Sequence, residues 1–117
     1  MEFELLTLEV SARAAGFSIT RPPILKGKSG VEHRFSLLVS DGAHSFAFDF
    51  YESVTEVEVL QSYVKKFDTG ASTRIVYLGE RPSEEARYLA ADLNMGIFRS
   101  EDFSTIFRLH PEPTLKH

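Results

Sequence analysis

Two runs of alternating residues, VEHRFSLLVS (31–40) and SFAFDFYE (45–52), flank the tetrapeptide DGAH and constrain this chain more than any other feature. In the first run Val31, His33, Phe35, Leu37 and Val39 alternate with Glu32, Arg34, Ser36, Leu38 and Ser40. In the second, Phe46, Phe48 and Phe50 alternate with Ser45, Ala47, Asp49 and Tyr51. A period of two is the signature of a strand, and Asp-Gly between two such runs signals a hairpin. The register stays open. A two-residue turn at Asp41-Gly42 sets Arg34 opposite Asp49 and Ser36 opposite Ala47. A four-residue loop, Asp41 to His44, sets Ser36 opposite Asp49 and Arg34 opposite Tyr51. Both registers put Phe35, Leu37 and Val39 on the face of the three phenylalanines. A slip of one residue would drive Asp49 among them, so the core excludes it. The expectation is one dense apolar face and a second face carrying Arg34, Ser36, Asp49 and Tyr51.

The remaining segments follow from periodicity and punctuation. Residues 3–15 carry Phe3, Leu6, Val10 and Ala14 at helical spacing, and Gly16 is a stop. FSITRPPILKG reads as an extended segment confined to an edge or a bend by Pro22 and Pro23, and GKSG as a turn. SVTEVEVLQSYVKKFDTG predicts a helix whose inner stripe is Val54, Val57, Leu60, Val64 and Phe67, closed by Gly70, with Lys65 and Lys66 on its solvated face. TRIVYLG is a strand covered on both sides. PSEEARYLAADLN is a helix capped by Ser83, with Glu84 and Glu85 at the positive end of its dipole and Ala86, Leu89, Ala90 and Leu93 buried. MGIF is a last strand, and a final helix runs from Ser100 with Phe103, Ile106 and Phe107 inward. The order is α-β-β-β-α-β-α-β-α: one α/β domain over residues 1–109, then a loose tail at 110–117.

Composition narrows the function classes. With 117 residues the chain has room for one core, and 43% hydrophobic and 26% charged residues are ordinary for a globular domain. The absence of cysteine removes disulfides and thiolate zinc sites and suits a cytoplasmic setting. MEFELLTLEV has neither the basic region nor the apolar run of a signal peptide, and no stretch approaches the ~18 apolar residues of a membrane span, so no membrane partner is expected. A net charge of −4 lowers the expectation of non-specific DNA binding but leaves room for a local basic patch, for which Lys26, Lys28 and Arg34 are the candidates.

Three segments carry a resemblance. TRIVYLGERPSEEARYLAADLNMGIFRSEDF resembles the back half of small restriction-endonuclease-like nucleases, where a hydrophobic strand leads to a Ser-Glu-Glu-Ala helix, a strand and an acidic helix start. GKSGVEHRFSLLV is similar to their second strand, which carries a catalytic aspartate in a His-x-Phe-Asp stretch, and FAFDFYE falls where their third strand carries Glu-x-Lys. The resemblance covers residues 3 to about 108. It implies a central mixed sheet flanked by helices and a site in which two acids bind Mg²⁺ while a lysine orients the nucleophile. Carried over residue by residue, the first aspartate falls on Ser36, the second acid on Asp49 and the lysine on Tyr51. A serine hydroxyl is a poor Mg²⁺ ligand, and a phenol with an ordinary pKa near ~10 brings no positive charge at neutral pH. The resemblance therefore implies a degenerate site with no cofactor.

The alternative is an active Mg-dependent endonuclease or resolvase-like enzyme with an atypical ligand set, Asp49 with Glu32 or Glu52. Glu32 lies roughly 13 Å along a strand from Ser36 at ~3.3 Å per residue, and Glu52 points away from Asp49. For Asp49 the plainer reading is a cross-strand pair with Arg34, and for Tyr51 a packed strand aromatic. His33 and His44 do not converge on a metal; each reads as satisfied or exposed. GKSG lacks the rest of a phosphate-binding loop. The expected function is a nuclease-like domain that has lost catalysis and serves as a nucleic-acid-associated module, on DNA or RNA, or as a protein-interaction module. A homodimer is a further expectation, through an exposed strand edge or apolar patch.

Overall fold

The computed structural model of the protein describes residues 2–102. Helix α1 (Glu2–Ala14) leads into a short strand β1 (Ser18–Ile19). A two-stranded ribbon follows, β2 (Ile24–Lys26) with β3 (Glu32–Arg34), and then the hairpin β4 (Leu37–Ser40) and β5 (Ser45–Tyr51). Helix α2 (Glu56–Thr69) crosses over to β6 (Ser72–Tyr77), helix α3 (Glu84–Asp92) to β7 (Gly96–Arg99), and a single 3₁₀ turn spans Ser100–Asp102. The helix expected from Ser100 onward and the tail at 110–117 otherwise lie outside the described residues.

The main sheet has the order β1-β4-β5-β6-β7, antiparallel on the β4 side of β5 and parallel on the β6 side. Among the described residues this is an α/β fold with a central mixed sheet of five strands and three helices. One face packs Leu37, Val39, Phe46, Phe48 and Phe50 against Leu8 and Ala12 of α1. The other packs Ile75 against Val59 of α2 and Ala86 and Ala90 of α3. Burying a side chain such as Phe48, 1% exposed, stabilises the fold by about 1.5–3 kcal/mol.

Strand alternation survives in β5 and breaks in its neighbour. Ser40 pairs with Ser45 and Leu37 with Phe48, so the loop is the four-residue one. Asp41 organises it, its carboxylate accepting from the backbone N–H of Ala43 and His44. The ladder stops at Leu37. Ser36 N–H donates to Phe48 O, the residue that Leu37 already faces, so two residues stand against one in the manner of a β-bulge. The expected single strand 31–40 is thereby divided, and residues 32–34 pair instead with β2. The bulge also reverses the parity before it. Phe35 packs with Leu38, Ala47 and Ala71 and not with Leu37 and Val39. Neither predicted partnership for Arg34, with Asp49 or with Tyr51, forms, because Arg34 belongs to the ribbon, opposite Ile24. Likewise FSITRPPILKG yields two strands in different sheets, since the Arg21-Pro22-Pro23 bend separates β1 from β2.

The helix faces bring a second correction. In α3 the expected stripe is inside. In α1 and α2 it mostly is not: Leu6 and Val10 are exposed while Leu8 and Ala12 are buried. Of the α2 stripe only Val54, just before the helix, is buried, while Val57, Leu60, Val64 and Phe67 are exposed and Val59 and Ser62 are buried in their place. For α2 the reason lies in the sheet face it covers. That face presents Ala47 and Asp49, which a row of large aliphatic side chains would leave unmatched.

Candidate functional site

On the α2 side of the sheet, beside the bulge, lies a cleft of about 730 Å³. Its lining includes Arg34, Ser36, Asp49 and Tyr51, so four residues singled out on one face do come together. Asp49 and Tyr51 are two apart on β5 and point the same way. Ser36 reaches them through the bulge. Glu32 and Glu52 do not line the cleft: Glu32 faces Lys26 across the ribbon, and Glu52 sits under Gly79 in the turn after β6.

Asp49 is 3% exposed, and both of its carboxylate oxygens are engaged from α2. Lys65 Nζ donates to Oδ1 at 2.8 Å and Ser62 Oγ donates to Oδ2 at 2.6 Å. Since the single Ser62 hydroxyl proton is committed to Asp49, the 2.9 Å contact with Tyr51 has the phenol as donor. A chain of hydrogen bonds thus runs Tyr51 to Ser62 to Asp49. Burial, reinforced by the nearby Asp49 charge, pushes the Tyr51 phenol up to about 12. Lys65 also donates to Arg34 O at 2.8 Å and lies 4.8 Å from the centre of the Phe35 ring. The ammonium is therefore held by a carboxylate, a carbonyl left over where the strand divides, and an aromatic face. Ser36 is equally committed, its Oγ accepting the Phe50 N–H at 3.0 Å.

The partner expected for Asp49 was Arg34, and the one found is Lys65, a residue assigned to the solvated face of its helix. Ser62 was missed as well. One signal was present: an acid on the inner face of a central strand requires a cation and a donor from whatever covers it, and Ser62 and Lys65 stand one turn apart on the covering helix.

These residues do not fit a magnesium site. The ion needs several oxygen ligands in near-octahedral array. Here one carboxylate is neutralised by an ammonium, one hydroxyl serves the backbone, and the third position is a neutral phenol. Among the described residues no group of three histidine, aspartate or glutamate side chains lies close enough to hold a metal ion.

A second polar cluster sits at the end of α2. Asp68 accepts from Ser29 N–H at 2.9 Å and Ser29 Oγ at 2.6 Å, and meets His33 Nε2 at 2.8 Å. The Ser29 donor and His33 hold the Asp68 carboxyl down at about 2. The carboxylate lies between serine and histidine, so the serine meets a weakly basic carboxylate and not the imidazole. The cluster ties the GKSG turn to the helix end and gives His33 a partner. Of the candidate basic residues, Lys28 lies 5.4 Å from the centre of the Phe67 ring, while Lys26 and Arg34 project from the ribbon as exposed side chains.

The fold and site together define a class: an α/β domain with a five-stranded mixed sheet and an internal carboxylate–ammonium pair at the mouth of a cleft. No family model matches the chain, and no curated protein matches it. Among solved structures it is similar to the crystal structure of a protein of unknown function, AF1548, with a TM-score of 0.64 and 17% identity over 82% of this chain. The chain spans 58% of that neighbour's length, and at such identity the likeness is one of fold alone. Among the described residues no helix is long and apolar enough to cross a membrane.

Proposed function

We propose that this is a restriction-endonuclease-like domain in which an internal ion pair stands where a phosphodiester-cutting centre would be, and that it works by binding a protein partner and not by cutting nucleic acid. The observation that carries the reading is the state of Asp49. The acid that the resemblance aligns with a metal ligand has both oxygens engaged, Oδ1 by Lys65 and Oδ2 by Ser62. A cation approaching it would have to displace an ammonium from a buried pair, which costs about 3–5 kcal/mol before any ligand is gained. The amine absent at Tyr51 is supplied from α2, but as a structural counter-ion. A protein partner is favoured over nucleic acid because α2 turns a row of large apolar side chains to solvent, while the chain as a whole carries a net charge of −4.

The test is incubation of the purified domain with single-stranded and branched DNA across a titration of Mg²⁺ and Mn²⁺. No cleavage above background is expected. Cleavage by the wild type that disappears in Asp49→Asn would establish an active metal-dependent nuclease and overturn the proposal. In parallel, fluorescence anisotropy with labelled DNA and RNA should show only weak, salt-sensitive binding, little altered by Arg34→Ala.

A further inference from the structure

Helix α2 carries an apolar pattern that its own domain leaves largely exposed. Val57, Leu60, Val64 and Phe67 follow one another at intervals of three, four and three residues, and each is between 47% and 66% exposed. That spacing is the a/d seam of a heptad repeat. The residues that hold α2 to the sheet, Val59 and Ser62, lie on another side of the helix, so the seam is turned to solvent, with Val64 at the rim of the cleft. The helix presenting it is firmly closed at both ends. Thr55 and Glu58 form a reciprocal capping box, and Gly70, with φ 77°, ends the helix with its N–H on Lys66 O.

We infer that this seam is a self-association surface on which α2 of a second copy lies antiparallel, about a two-fold axis passing near residue 62. This deepens the reading of the domain as a protein-interaction module, and rests on it, by naming the partner. In that arrangement Val57 faces Phe67 of the other copy and Leu60 faces Val64, so each large side chain meets a smaller one. The helix dipoles oppose. Charge favours the same orientation. Glu56 and Glu58 mark the first turn of α2, whereas Lys66 is in its last turn and Lys28 lies over Phe67. Antiparallel pairing brings the first-turn glutamates of each helix to the end of the other where Lys28 and Lys66 stand with Asp68, whose carboxylate is already bonded to Ser29 and His33. Parallel pairing would put Glu56 beside Glu56 and Phe67 against Phe67. Of the flanking positions, Gln61 and Tyr63 place no charge at the middle of the seam, while Glu56 and Asp68 stand at its two ends.

The area is adequate. The four side chains expose roughly 400 Å² per copy, at the scale where an apolar patch on a monomer marks a contact surface. With the polar rim that accompanies such a core, two copies would bury on the order of 1,400 Å², within the range of stable specific interfaces. The contact is isologous and closes on itself, so it ends at a dimer.

The experiment is sedimentation velocity on the whole chain across ~1–200 µM, a range that spans micromolar affinities. The mass is expected to rise to that of a dimer, and Leu60→Glu to weaken association by at least ~30-fold, as loss of a central anchor does. Leu60 is already exposed, so the circular dichroism spectrum of the variant should match the wild type. Orientation is read by oxidative crosslinking, since the chain has no cysteine of its own. A mixture of Leu60→Cys and Val64→Cys should crosslink one to the other. A monomer throughout the range, a dimer indifferent to Leu60→Glu, or a predominant 60-to-60 crosslink each overturns the inference. Because mass is read without metal or DNA, a monomer would leave the account of Asp49 standing, and DNA cleavage would leave the dimer standing.

Discussion

Replacing Lys65 by methionine isolates what the buried pair contributes. The Asp49 side chain is 5% exposed and that of Lys65 19%, so solvent screens their 2.8 Å contact little. Methionine keeps most of the aliphatic stem against Phe35 and removes the charge. Among the described residues Asp49 is then left with the Ser62 hydroxyl as its only side-chain donor, and stranding a buried charge costs about 3–5 kcal/mol. At ~4 °C per kcal/mol for a domain of this size, the melting temperature should fall by roughly 12–20 °C. Asp49→Asn should cost less, about 1–3 kcal/mol, because the lysine can turn its head to water and keep its bond to Arg34 O. The double variant Asp49→Asn/Lys65→Met should lose less than the sum of the two, by ~2 kcal/mol. Urea unfolding followed by circular dichroism supplies all four corners of the cycle. A Lys65→Met cost under ~1 kcal/mol, or additivity within ~0.5 kcal/mol, would refute the claim that the two groups neutralise each other inside the protein.

Two titrations follow from the same structure. Asp68 titrates at about 2 when folded against an ordinary 3.8, so the unfolded chain binds more protons between those values, and stability should rise with pH through that window. That contribution is complete above 3.8 and is lost as pH falls toward 2; urea midpoints measured across the window should show the slope in the wild type and a flatter one in Asp68→Asn. Tyr51 is shifted the other way, from 10.0 to about 12, so its contribution is complete below 10 and is lost as pH rises toward 12. Ultraviolet titration of the folded protein should show a phenol ionising at about 12, and Tyr51→Phe should remove that step.

Most of the scaffold was legible because its signals are local. The Ser83 cap, the Gly70 stop, the Asp-Gly loop and the alternation of β5 each depend on a few neighbouring residues. What misled was the assumption that the most apolar stripe of a helix faces inward. In α2 the inner side carries Val59 and Ser62, chosen by what β5 offers, and the apolar stripe serves another surface. The division of 31–40 was equally hidden. VEHRFSLLVS alternates without fault apart from Leu38, and nothing in its pattern marks the point where Ser36 doubles against Phe48. The cleft was half legible. Ser36, Asp49 and Tyr51 were placed on one face by β periodicity and alignment with a motif, but Lys65 and Ser62 arrive from another element, and such a meeting is not encoded in spacing along the chain.

The pair between β5 and α2 has a consequence for how the domain assembles. A parallel crossover lets its helix seat in several positions along a greasy sheet, and hydrocarbon contacts discriminate poorly among them. Here a helix shifted by one turn, ~5.4 Å, would drag the ammonium off the acid and leave both stranded. The salt link thus acts as a detent that selects one seating of the crossover, and it leaves the outer side of the helix free to diverge toward whatever it must meet.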